Sequence, residues 1–222
     1  MSYNIVKDND IIFREGLDYI QAQYPFYNKE NLVDEYNNKK YSLQMIESSV
    51  SGLLEISEIL KIIIFDCLIG NSDRHHSNWG VIIPCVKKVD EGDCVCLKLC
   101  PLYDNGSSLC AYEDNNNIEV FFKDKMKLEA LVNTKSKSAI GWKNERPIRH
   151  FDLLKKLRDN KYEATIPYIE KIKNNINDKS IDKILTEFDN NIINENMKKL
   201  LKMFLLERRK RMLEIYNLKD EV

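Results

Sequence analysis

Long apolar runs are missing from this 222-residue chain: no stretch approaches the ~18 consecutive apolar residues that a helical membrane span needs. The opening Met1-Ser2-Tyr3-Asn4 lacks the basic and apolar regions of a secretory signal, so the chain reads as cytoplasmic. Glycine is scarce. The seven glycines stand at 16, 52, 70, 80, 92, 106 and 141, and no two are two or five positions apart. That excludes both G-x-G-x-x-G and G-x-x-x-x-G-K-[ST], so a bound nucleotide would have to be held in some other way. The six cysteines, at 67, 85, 94, 96, 100 and 110, lack the paired knuckles of a structural zinc site and read as reduced thiols. Alternation in Cys94-Val95-Cys96-Leu97-Lys98-Leu99 instead puts Cys94, Cys96 and Lys98 on one face of a strand.

What is present is a chain with core-forming capacity: 43% of residues are hydrophobic and 31% charged, enough for one domain or two closely packed subdomains. The net charge is −1, but residues 1–70 carry −5, residues 71–120 carry −4 and residues 121–222 carry +8. An anionic partner for the C-terminal half and a set of lysine-rich solvated helix faces both fit that asymmetry. No dense basic arm occurs, which favours the solvated faces and speaks against nucleic acid.

The first ~40 residues are polar and broken, and Gln21 to Lys40 reads as loop with weak helix. A helical pattern starts at Ser42 and becomes apolar nearly all round between Gly52 and Gly70, which predicts a buried helix. A polar loop, Gly70 to Trp79, leads into a short strand at Gly80–Ile83, a turn at Val89–Asp93 and a returning strand at Cys94–Leu99. The remainder reads as helices at Lys125–Leu131, Asp152–Leu157, Tyr168–Asn174, Ile181–Phe188 and Glu195–Tyr216. In the last of these, Met197, Leu200, Leu201, Phe204, Leu205, Met212 and Ile215 form the apolar stripe.

Two of the three histidines, His75 and His76, lie in the polar loop with Asp73 and Asn78; the third is His150. Adjacent histidines do not easily face one site, so at most one of them is expected to act directly. Asp73 and Asn78 are five positions apart, and Asp104-Asn105-Gly106 follows one hairpin later. Taken singly, these residues are ordinary turn formers and helix caps. Taken in order, they match the protein-kinase arrangement of a carboxylate for the acceptor hydroxyl, an Asn for a metal and a further Asp on the metals that bridge the phosphates. A hairpin sets its two ends side by side, so both ligand-bearing loops can converge on one triphosphate.

The run Phe65-Asp66-Cys67-Leu68-Ile69-Gly70-Asn71-Ser72-Asp73-Arg74-His75-His76-Ser77-Asn78-Trp79, with Pro101-Leu102-Tyr103-Asp104, resembles the C-terminal lobe of the HipA-like serine/threonine kinases. Their D-R-H-x-x-N element is shared with phosphatidylinositol 3- and 4-kinases, and Ile140-Gly141-Trp142 with His150 is a less specific match. The resemblance covers residues 45–160. It implies a mainly α fold with a small β-hairpin, a protein-kinase-like C-terminal lobe spanning 1–222. Within it, 1–42 would be a hinge, 43–120 the helix, catalytic loop and metal-binding hairpin, and 121–222 a helical subdomain. It also implies Asp73 as catalytic base, Arg74 and His75 as braces of the catalytic loop, Asn71 as a loop-shaping residue, and Asn78 and Asp104 as ligands of Mg²⁺ and hence of ATP. No glycine-rich loop and no strand run bearing a phosphate-binding lysine precede Asp73, so the N-lobe is expected to be absent. The function expected is transfer of the ATP γ-phosphate to a protein hydroxyl, with a separate N-lobe or an antitoxin protein as partner and no membrane. The alternatives are a non-catalytic pseudokinase or antitoxin-like interaction module, and a metal nuclease built on His75, His76 and Asn78.

Overall fold

The computed structural model describes residues 11–84, 97–114 and 117–220. Cys85, Cys94, Cys96 and the turn expected at Val89–Asp93 lie outside the described residues. The chain divides into two compact units. The first comprises Met1–Ile59, Asp73–Asn105 and Ala139–Arg146, and the second Leu60–Ser72, Gly106–Ser138 and Pro147–Val222. No helix among the described residues is long and apolar enough to cross a membrane.

In the first unit, β1 (Ile11–Glu15) runs straight into α1 (Gly16–Gln23). Three two-residue strands follow, β2 (Tyr27–Asn28), β3 (Val33–Asp34) and β4 (Lys39–Lys40), in an antiparallel meander of that order. Next comes α2 (Leu43–Ser49), where the Ser42 hydroxyl caps the helix by accepting from the Met45 amide. The long apolar helix α3 (Ile56–Ile69) starts here and continues in the second unit. Then β5 (Gly80–Pro84), rich in β-branched residues, pairs antiparallel with both β1 and β6 (Lys98–Leu99). Gly80 is required by this pairing: a Cβ there would lie 2.4 Å from the Phe13 ring.

The N-terminal region therefore differs from the reading of its sequence. A strand and a helix stand in the stretch read only as polar and broken, a meander stands where Gln21 to Lys40 was expected to be loop with weak helix, and the small hairpin belongs to one of three small antiparallel sheets among the described residues. Two-residue strands carry no detectable period, which is why the pattern is silent there.

In the second unit, α4 (Glu119–Lys123) and α5 (Lys125–Glu129) lead into a single π-turn at Ala130–Thr134. The short ladder of β7 (Lys137–Ser138) and β8 (Ile148–Arg149) opens α6 (His150–Asn175). The two helices expected at 152–157 and 168–174 belong to α6, which breaks from helical geometry at Lys161. A capping box of Asn177 and Ser180 starts α7 (Asp178–Leu185), and Asn194 caps α8 (Glu195–Ile215). α6 packs on α8, and the buried face of α8 contains Leu200, Leu201, Phe204, Met212 and Leu213 together with Arg208.

About half of the chain is helical. Arg208 is fully buried. It donates to the Cys67 carbonyl at 2.6 Å and to the Val132 carbonyl, and its guanidinium lies 4.8 Å and 5.2 Å from the Phe151 and Phe204 ring centroids. Cys67 stands in the last turn of α3, so the cation meets the negative end of that helix.

Candidate active site

Residues 73–79 form a tight polar turn in the first unit. The His75 amide donates to the Asp73 carbonyl at 2.9 Å, and the Asn78 amide to the His75 carbonyl at 3.0 Å. The Asn78 side chain closes the turn, its Nδ2 donating to the Asp73 carbonyl at 2.7 Å. That commits the amide nitrogen and leaves Oδ1 as the group Asn78 can offer a cation. The Asp73 side chain is exposed.

Arg74 is 1% exposed and ties this turn to the Asp104 segment. Nη1 donates to the Asn78 carbonyl at 2.6 Å and to the Tyr103 carbonyl at 2.7 Å, and Nη2 donates to Asn105 Oδ1 at 2.5 Å. A second strut runs alongside, with the Tyr103 hydroxyl donating to the Ser77 carbonyl at 2.8 Å. Burial raises the Tyr103 pKa, which keeps that donor protonated. Both neighbours of Asp104 are thus held, and Asp104 itself sits at φ 51° with its side chain exposed. A non-glycine residue in the left-handed region persists where its surroundings over-determine it.

The loop is also held by the N-terminal region. The first amides of α1, which have no partner inside the helix, donate to loop carbonyls: Gly16 to Trp79 at 2.9 Å and Leu17 to His76 at 3.0 Å. Glycine is needed at 16 because a Cβ would lie 2.2 Å from the Trp79 ring. The Trp79 indole donates to the Tyr41 hydroxyl at 2.9 Å, and that hydroxyl donates to the Arg74 carbonyl at 3.4 Å. Tyr27 bonds His76 Nδ1 at 3.0 Å. Burial, followed by the fields of His75 and Lys29, lowers the His76 pKa to about 4, so this ring is neutral. Of these supporting residues only His76 was singled out as a candidate from the sequence; Gly16, Leu17, Tyr27 and Tyr41 were not. Only the glycine at 16, three positions after the short apolar run Ile11-Ile12-Phe13, could have hinted at a close backbone approach.

No family model and no curated protein matches this sequence. Among solved structures, the crystal structure of a Helicobacter pylori proinflammatory kinase, CtkA, superposes with a TM-score of 0.74 over 95% of this chain at 17% identity. The fold is kinase-like. This chain spans 66% of the length of that kinase.

Within the kinase-like fold, Asp73, Arg74, His75, Asn78 and Asp104 all fall in the first unit. Asn71 and His150 fall in the second. Asn71 is buried, donates to Asp66 Oδ1 at 3.1 Å and accepts from the Ser107 hydroxyl at 2.6 Å. His150 is buried at the start of α6, where desolvation and Arg208 lower its pKa well below the usual value. Such a ring stays neutral in a packed core.

No group of three or more His, Cys, Asp or Glu side chains suited to a metal occurs among the described residues. A caged transition-metal site is therefore not what these side chains build. The free Asn78 oxygen and the exposed Asp104 carboxylate fit a different ion. Mg²⁺ keeps several waters and takes one or two protein oxygens alongside substrate phosphates.

Proposed function

We propose that this chain is the catalytic lobe of a HipA-like serine/threonine protein kinase, with ATP and Mg²⁺ as ligands and a protein hydroxyl as acceptor. The observation that supports this most is the Arg74 guanidinium, bonded at once to the Asn78 carbonyl, the Tyr103 carbonyl and Asn105. It links the turn that carries Asp73 and Asn78 to the segment that carries Asp104. In this reading Asn78 Oδ1 and the Asp104 carboxylate hold Mg²⁺, which when bound would offset charge on the phosphate oxygens. The Asp73 carboxylate takes the proton of the acceptor hydroxyl as the hydroxyl oxygen bonds to the γ-phosphorus and ADP leaves. Arg74 touches none of the reacting atoms; it holds the two segments in register. His75, half-buried with Nδ1 accepting the Ser77 amide at 3.2 Å, stiffens the turn. A separate N-lobe polypeptide or an antitoxin protein would be the partner that covers the nucleotide.

The test is phosphoryl transfer from Mg-ATP to a protein acceptor by wild type and by Asp73→Asn, each supplied with the complementing N-lobe polypeptide. The expected loss in kcat is on the order of 10²–10⁴-fold with nucleotide affinity little changed, because the base acts in the chemical step. Equal turnover in the two proteins would remove Asp73 from the mechanism.

A further inference from the structure

Beside the candidate active site, the first unit contains a cavity of about 340 Å³ lined by Lys29, Glu30, Leu32, His75 and His76. The two histidines do share one site: in a tight turn successive side chains need not point to opposite faces, and their ring centroids are 5.3 Å apart. His75 Nδ1 accepts the Ser77 amide, so the proton of the neutral ring sits on Nε2 as a donor. His76 Nδ1 is joined to the Tyr27 hydroxyl, and when that O–H donates, Nε2 of His76 is a donor too. Lys29 adds a cation at the rim. Glu30 is the one carboxylate among the described lining residues.

The wall that carries Lys29 is built in advance. Asn28 Oδ1 accepts from the Glu30 and Asn31 amides at 3.0 Å and 3.1 Å, and Asn28 Nδ2 donates to Glu35 at 2.6 Å. Leu32 is held at φ 54° with its carbonyl accepting the Tyr41 amide at 2.9 Å. A branched residue in that conformation marks a segment kept in place by its surroundings.

We propose that this cavity binds an anionic group, a carboxylate or a phosphate, carried by the acceptor protein near its target hydroxyl. That the occupant belongs to the acceptor rests on the kinase reading; the anion chemistry does not. Lys29 and the two Nε2–H groups are the donors, Leu32 is the apolar wall, and the anion is held on the same turn that carries Asp73.

The three histidines make the test direct. Inorganic phosphate is titrated into the full chain at constant ionic strength, without nucleotide or Mg²⁺, while NMR follows the histidine ring signals. Those of His75 and His76 should shift together and saturate, while that of His150 stays in place. Lys29→Ala should raise the phosphate Kd about fivefold, and Lys29→Arg should restore it. A non-saturating response, or one identical in Lys29→Ala, overturns the proposal. In the companion assay, Lys29→Glu should raise KM several-fold for an acceptor peptide with a glutamate beside its serine, and not for its glutamine counterpart. Saturable ring shifts without any phosphoryl transfer, even with the complementing N-lobe supplied, would uphold the anion site and sink the kinase reading. Transfer without ring shifts would do the reverse.

Discussion

Asp104 occupies left-handed backbone at φ 51°, a conformation that costs an L residue about 1–2 kcal/mol and a glycine almost nothing. Asparagine tolerates it well. Asp104→Gly and Asp104→Asn should therefore match or slightly exceed the wild-type Tm in metal-free calorimetry, while both lose Mg²⁺-dependent nucleotide binding. A clearly lower Tm in Asp104→Asn would mean that the carboxylate serves the fold rather than a ligand. The identities and spacing of Asp73, Asn78 and Asp104 were open to view in the sequence, because a hairpin of ordinary length stands between them. The fork of Arg74 was not, since its partners Tyr103 and Asn105 are defined only once the chain has turned back.

Helix α8 was visible in the sequence because it carries a long apolar period, and its ends fall near the expected positions, whereas α6 showed only as two short pieces at 152–157 and 168–174. The charged run Glu207-Arg208-Arg209-Lys210-Arg211 in α8 reads as a solvated face, yet Arg208 points inward. Three features make that tolerable: the carbonyls of Cys67 and Val132, two phenylalanine rings, and the C-terminal dipole of α3. Arg208→Met keeps much of the volume but strips two buried carbonyls of their donor, at about 1–3 kcal/mol each. Urea unfolding should show a loss of about 2–5 kcal/mol. Arg208→Lys should recover little, because one ammonium cannot reproduce the planar fork and its stacking. By contrast, the two-residue strands β2, β3 and β4 left no pattern to read, and their role emerges only through Tyr27 and Tyr41 at the loop.

Two histidines have pKa values lowered chiefly by burial, His76 to about 4 and His150 well below the usual value. Both native pKa values lie below the unfolded value of 6.5, so the unfolded chain binds protons that the native one refuses. Stability is therefore full above about pH 6.5 and falls as the pH drops below it. Each buried ring contributes a slope approaching 1.4 kcal/mol per pH unit. Urea midpoints measured from pH 7.5 to 5 should record this decline, and His150→Gln should show about half the slope below pH 6.5. Parallel curves for the two proteins would show that His150 takes up its proton in the native state as well.

The amides at the start of α1 hold carbonyls far along the chain, Gly16 that of Trp79 (79 − 16 = 63 positions) and Leu17 that of His76 (76 − 17 = 59). Contacts of that separation form only after a large loop has closed, so they come late and slow folding. On a ribosome, the turn bearing Asp73 emerges long after the segment that must grip it. The geometry of the 73–79 turn is therefore completed only when the N-terminal strand and helix dock against it. A chain in which α1 has not docked would lack the two backbone bonds, from Gly16 and Leu17, that hold the turn from outside.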